Sequence, residues 1–166
     1  MKYFKLLLII GLVLGFSACE KKDPNGPHKI HYDRDMCAEC KMVISDRNYA
    51  AQIVNPIKNK AYNFDDIGCA IIWMDASNEE WLDSAKLYVA DQKTAELIPA
   101  KEVFWAKGFT TPMDFGFAAF KVKPEGDTYD FLEVYRDILD ASKAKQKMKC
   151  GAKMKCGAGK CGAKSE

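Results

Sequence analysis

Hydrophobic and polar positions divide the chain into four stretches. Leu6 to Phe16 is an apolar run of about 11 residues, preceded by Lys2 and Lys5 and followed by Ser17-Ala18-Cys19. Glu20 to Ile30 is polar, carries Pro24, Gly26 and Pro27, and reads as a tether. From there to Ser142, short apolar runs alternate with turn residues. Residues 41–45 and 49–54 alternate as strands joined by Asp46-Arg47-Asn48, and residues 60–64 make a third. Asp65 then stands as the N-cap of a helix over residues 66–74, whose Ile67, Ala70, Ile71 and Met74 recur at helical spacing. Residues 87–90, 103–106 and 117–122 predict further strands. Residues 129–147 carry Phe131, Leu132, Val134, Tyr135, Ile138 and Leu139 in an amphipathic helix pattern. This mixture of strands and helices predicts an α+β body. The last stretch, 143–166, has no apolar face to bury and is expected to be disordered without a ligand.

The whole chain has 166 residues, 48% of them hydrophobic and 29% charged, the composition of a protein that folds around one modest core. Net charge is +2, but it is unevenly placed. Residues 143–166 hold eight lysines and one acid, about +7, which leaves the span from Cys19 to Ser142 near −7. A basic tail on an acidic body suits an acidic partner, anionic lipid or the body itself. Its lysines lack interleaved aromatics, so nucleic acid is not an expected partner.

The N-terminal pattern changes the picture of where the protein works. Two lysines, a short apolar run and a small-residue exit read as a secretory signal, too short to span a bilayer. Cysteine directly after that exit is the bacterial lipoprotein pattern, in which Cys19 is lipidated and becomes the first mature residue. Acyl chains contribute about 0.8 kcal/mol per buried CH₂, so several on one cysteine anchor a protein firmly. The expected organisation is a signal peptide over 1–18, a lipid-anchored linker over 19–34, a folded domain over 35–142 and the tail over 143–166. The expected location is the cell envelope, membrane-anchored and facing the periplasm or exterior.

Candidate chemistry centres on Cys37-Ala38-Glu39-Cys40-Lys41-Met42. A Cys-x-x-Cys pair alone is a disulfide, a redox pair, half of a zinc site or a soft-metal site. On a strand, Cys40 and Met42 share one face, and thiolate with thioether selects Cu(I) over Zn(II) and hard cations. No second Cys-x-x-Cys or close histidine pair completes a tetrahedral zinc site. His28 and His31 are the only histidines, and His31 is near enough to act as a further ligand. A redox pair belongs at a helix N-terminus, which lowers the attacking thiol's pKa. The residues after Cys40 read as strand, although Thr111-Pro112 matches the loop that faces a thioredoxin-type pair. A thiol–disulfide oxidoreductase using Cys37 and Cys40 therefore stays as the alternative. Cys69 reads as a small buried residue, Asp65 and Asp66 as cap and first-turn carboxylate, and Trp73, Trp81 and Trp105 as core or rim aromatics.

The tail repeats Lys-Cys-Gly-Ala three times and Lys-Met-Lys-Cys twice, which places Cys150, Cys156 and Cys161 beside Met148 and Met154. Cu(I) accepts two or three thiolates without strict geometry, so this segment is a second candidate metal ligand set. The plainer reading is a solvated basic extension.

Six segments taken together resemble the NosL family of copper lipoproteins associated with nitrous oxide reductase assembly. They are residues 35–44, 49–53, 64–69, 88–91, 111–113 and 118–120, in order over Asp35 to Val122. The resemblance implies a body of two related ββαβ-type halves, akin to the organomercurial lyase fold. It implies a single Cu(I) on soft ligands, with Cys40 and Met42 matching the family's Cys-x-Met and Met113 its Thr-Pro-Met; Cys37 is a plausible extra thiolate. It also implies a metallochaperone rather than an enzyme, delivering copper to nitrous oxide reductase or another cuproenzyme, with an envelope membrane complex as partner. The related fold adds soft-metal detoxification as a further alternative. The tail departs from the family pattern.

Overall fold

A computed structural model describes residues 26–154, with side chains described through residue 147. Cys19, the signal segment, Cys156 and Cys161 lie outside the described residues. Strands β1 (Ala51–Asn55) and β2 (Lys60–Phe64) form an antiparallel hairpin, and β3 (Lys86–Ala90) pairs antiparallel with the other side of β1. Strand β4 (Leu97–Pro99) adds to β3, so the sheet order is β2-β1-β3-β4. Strands β5 (Phe104–Lys107) and β6 (Phe117–Phe120) make a separate two-stranded ladder. Helix α1 (Ile67–Ala76) follows β2, a 3₁₀ turn spans Glu80–Ser84, and helix α2 (Phe131–Met154) ends the described chain. The architecture is α+β. The first unit runs ββαβ; the second, among the described residues, is a hairpin followed by α2.

Burial explains why β1 is central. All five of its residues are buried, including Gln52 and Asn55. Buried polar groups must be paired. Gln52 accepts from the His28 amide at 2.7 Å and donates to the His28 carbonyl and to Asn63 Oδ1. Asn55 Oδ1 accepts the Ile57 and Lys58 amides and closes the β1–β2 turn. The expected tether therefore joins the body before its end: His28 bonds to β1 and Ile30 is buried in the core.

The two units share one core. Trp105 of β5 and Val134 and Ile138 of α2 pack with Ile53, Phe64 and Ile71 of the first unit. Asp91 Oδ1 accepts the Lys121 amide, and Ala119 bridges to Asp91, tying the sheets together. Helix α2 starts with a reciprocal cap, Glu133 N–H to Asp130 Oδ1 and Asp130 N–H to Glu133 Oε2.

Two expectations differ from the structure. Residues 41–45 do not form a strand; the only ladder there is the single bridge Met36–Val43. Lys41 takes a left-handed φ of 63°, which reverses the chain between Cys40 and Met42. The helix predicted to end near Lys147 continues to Met154, through residues expected to be disordered. Ala, Lys, Gln and Met are strong helix formers and extend it beyond its apolar face.

Candidate metal centre

The centre forms where β2 turns into α1. Edge strand β2 docks the loop before it: the Ala38 amide donates to the Asn63 carbonyl at 2.8 Å, and Asn63 Nδ2 donates to Asp35 Oδ2 at 3.0 Å. The loop is closed on itself by the Cys37 amide to the Met42 carbonyl at 2.8 Å and the Lys41 amide to the Cys37 carbonyl. This turns Cys37 inward, fully buried, and leaves Cys40 half-buried above it.

The two acids at the start of α1 divide their work. Asp66, not Asp65, is the N-cap, its Oδ1 accepting the Gly68 amide at 2.7 Å. Asp66 Oδ2 also accepts the Met113 amide at 3.3 Å. Burial holds the Asp66 carboxyl above its ordinary range, opposed by these bonds and one from Thr111. Asp65 is thereby released to face the thiols. Cys40 Sγ donates to Asp65 Oδ2 at 3.4 Å, and Cys69, on the first turn of α1, completes the group.

The Sγ atoms of Cys37, Cys40 and Cys69 and a carboxylate oxygen of Asp65 all lie within 4.8 Å of one another. An ion about 2.3 Å from each sulfur separates two of them by at most about 4.6 Å, so small side-chain rotations bring the donors onto one ion. All three cysteines are free thiols. Asp65 Oδ1 is buried and has no hydrogen-bond partner. An orphaned carboxylate oxygen in a dry site is costly, and a cation is the group that satisfies it.

The thiols are electrostatically unequal. The Cys69 thiol donates to Cys37 and, with the Asp65 and Cys40 amides, holds Cys37 down to about 6 against the opposing effect of burial. Burial, helped by the Cys37 and Asp65 charges, pushes Cys40 up to about 11. Cys69 is raised, chiefly because its proton is shared with Cys37. Cys37 is therefore the thiol that gives up its proton most readily.

The remaining predicted residues surround this group. Met42 lies 46% exposed at the end of the loop, next in sequence to exposed Val43, which bridges to exposed Met36. Because Cys40 sits in a turn, the shared strand face expected for Cys40 and Met42 does not exist. Met113 packs partly buried against the core, its amide held by Asp66 next to Asp65. His31 is exposed beside Asp35, its Nδ1 3.7 Å from the carboxylate, outside the four-residue group. Cys150 is on the C-terminal turns of α2. Thr111-Pro112 has a trans peptide.

Asp65 and Cys69 are the donors the sequence reading missed. Two adjacent acids before a helix supply one cap and leave one spare, but which of them is spare is decided only when Asp66 takes the cap.

No protein-family model matches the chain, and no curated protein is similar to it in sequence. Among solved structures, the crystal structure of the copper chaperone NosL from Shewanella denitrificans is similar, with a TM-score of 0.51 and 18% identity. The match covers 67% of this chain and 96% of that one. The NosL-like architecture expected from six scattered segments is thus the one the chain adopts, with a three-cysteine, one-carboxylate group at its first strand-to-helix turn.

Proposed function

We propose that the protein is an envelope copper(I)-binding lipoprotein that carries and delivers the metal. The observation that carries this reading is the convergence of three thiol sulfurs and a carboxylate oxygen of Asp65, whose Oδ1 is buried without a partner, on a fold shared with a copper chaperone. Soft thiolates favour Cu(I), and Met42 and Met113 are nearby soft donors suited to a lid or an exchange ligand. Cys37 and Cys69 anchor the ion in the buried interior, while Cys40, less buried, is the accessible donor. A receiving protein attacks at Cys40, each bond being replaced as it breaks. The receiver is a cuproenzyme in maturation, nitrous oxide reductase by the resemblance of the segments. An envelope membrane complex is the assembly partner, and lipidated Cys19 holds the carrier there.

The test is anaerobic Cu(I) titration against a competing chelator, in the full mature chain with Cys150, Cys156 and Cys161 replaced by serine. One ion should be held, and Cys40→Ser and Asp65→Asn should each weaken binding by at least 10–100-fold, the range seen even for outer-shell partners. X-ray absorption showing only nitrogen and oxygen neighbours would sink the proposal. The unequal thiols favour one rival, a disulfide reductase with Cys37 as nucleophile. A disulfide-reduction assay separates the two: the rival requires turnover that is lost in Cys37→Ser, and a copper carrier shows none.

A further inference from the structure

Read along the sequence, Cys37 and Cys40 have no partners to complete a tetrahedral zinc set; the fold supplies them. Asp65 and Cys69 bring the group to four, with three sulfurs and one carboxylate oxygen all within 4.8 Å of one another. Thiolate and carboxylate are both ordinary zinc ligands, with bonds of about 2.3 Å to sulfur and about 2.0–2.2 Å to oxygen. Each donor stands on fixed backbone. Cys37 and Cys40 lie in a loop closed by its own amide bonds, Asp65 follows β2 directly, and Cys69 is in the first turn of α1. The amides of Cys40 and Asp65 bond to the Cys37 sulfur and the amide of Met42 to that of Cys40, an outer shell that steadies metal-bound thiolates.

The carboxylate is the informative donor. Cu(I) is satisfied by two or three thiolates, and a hard oxygen adds less to it than to Zn(II). Yet Asp65 is only 3% exposed, its Oδ1 has no hydrogen-bond partner, and the cap of α1 is made by Asp66. Charge points the same way. Three thiolates and one carboxylate carry four negative charges, of which a monovalent ion cancels one and a divalent ion two. In a buried site the charge left over is costly, so the full donor set favours the divalent ion. A single oxygen is too few for calcium or magnesium.

Going beyond the copper reading, we propose that this centre is also a zinc-class site. A four-coordinate divalent d¹⁰ ion, Zn(II) or Cd(II), binds on Cys37, Cys40, Cys69 and Asp65. Where Cu(I) is held as well, which rests on the copper reading, the two ions need the same sulfurs and cannot bind together. Cu(I) entering on the thiolates sends the divalent ion to solvent; copper stays monovalent and no electron moves.

The test uses the full mature chain with Cys150, Cys156 and Cys161 replaced by serine, reduced, metal-free and titrated anaerobically with Co(II) as a visible stand-in for Zn(II). Co(II) should saturate at one equivalent, with the intense visible bands of a tetrahedral centre and thiolate-to-cobalt charge transfer, and one equivalent of Zn(II) should erase both. X-ray absorption of the zinc form should show three sulfurs at about 2.3 Å and one oxygen. Asp65→Asn should weaken Zn(II) at least about tenfold more than it weakens Cu(I), because the divalent ion relies on the fourth donor. If that variant fails to fold, the zinc shell of the unsubstituted Asp65 protein decides. Pale octahedral cobalt bands without charge transfer, a zinc shell lacking oxygen, or equal losses of Zn(II) and Cu(I) in Asp65→Asn each overturn the inference and leave the copper reading standing. Zinc held on three sulfurs and one oxygen by a protein that retains no Cu(I) upholds it and sinks the copper reading.

Discussion

At the scale of single residues, the decisive feature is the asymmetry within the thiol group. Cys37 is lowered from 9.0 to about 6, so in the metal-free fold it contributes stability that is full above about pH 9 and lost as pH falls towards 6. Cys40, raised to about 11, works in the opposite sense and removes stability above pH 9. Metal binding requires thiolates. If all three sulfurs ligate, copper binding near pH 7.5 should release two protons, from Cys40 and Cys69. Below pH 6 it should release a third, from Cys37. Proton counting in weakly buffered anaerobic titrations checks this; a constant release of three across the range would show that Cys37 is not a preformed thiolate. Cys37 and Cys40 were legible in the sequence because Cys-x-x-Cys is a local pattern. Asp65 was not, since only the structure shows that Asp66 takes the cap.

At the scale of elements, the centre depends on how the loop at 113–115 lies over the start of α1. Gly68 is glycine because the Phe115 ring occupies the place of its side chain. Gly68→Ala forces that ring away, and overpacking of this kind costs typically about 1–3 kcal/mol. The expected outcome is a lower unfolding temperature together with weaker copper binding, because Met113 and Asp66 move with the loop. Thermal unfolding followed by circular dichroism, beside the chelator titration, checks it; unchanged copper affinity would show the loop to be irrelevant to the centre. The hairpin β1–β2, helix α1 and helix α2 were legible from periodicity. The three-residue strand β4 was too short to carry a pattern, and the strand at 41–45 failed because one left-handed residue overrides an alternating sequence.

At the scale of the whole molecule, the four donors come from three separate segments, the loop at 37–40, the end of β2 and the first turn of α1. An ion held by all of them ties the N-terminal segment to the shared core. A ligand at 100-fold excess over its dissociation constant stabilises by about 2.7 kcal/mol, which for a body of this size corresponds to a rise of roughly 10 °C in unfolding temperature. Anaerobic calorimetry at a buffered free Cu(I) concentration about 100 times the dissociation constant, on the protein with its tail cysteines replaced by serine, should show that rise. No shift would mean that the ion is held outside the folded body. Among the described residues no helix is long and apolar enough to cross a membrane.

The sequence by itself determined the α+β class, most of the strands and both helices, and the thiol pair at 37 and 40, because each depends on neighbours a few residues apart. Only the tertiary structure decided which acid caps α1, that Cys69 joins the pair rather than merely filling space, and that Lys145 of α2 bonds to the loop at 113–114. Those outcomes depend on contacts across 25 to 47 residues of chain, such as Cys40 to Asp65 and Asp66 to Met113. Such contacts follow from how β2, α1 and the surrounding loops are docked on one core, and no local pattern of residues encodes them.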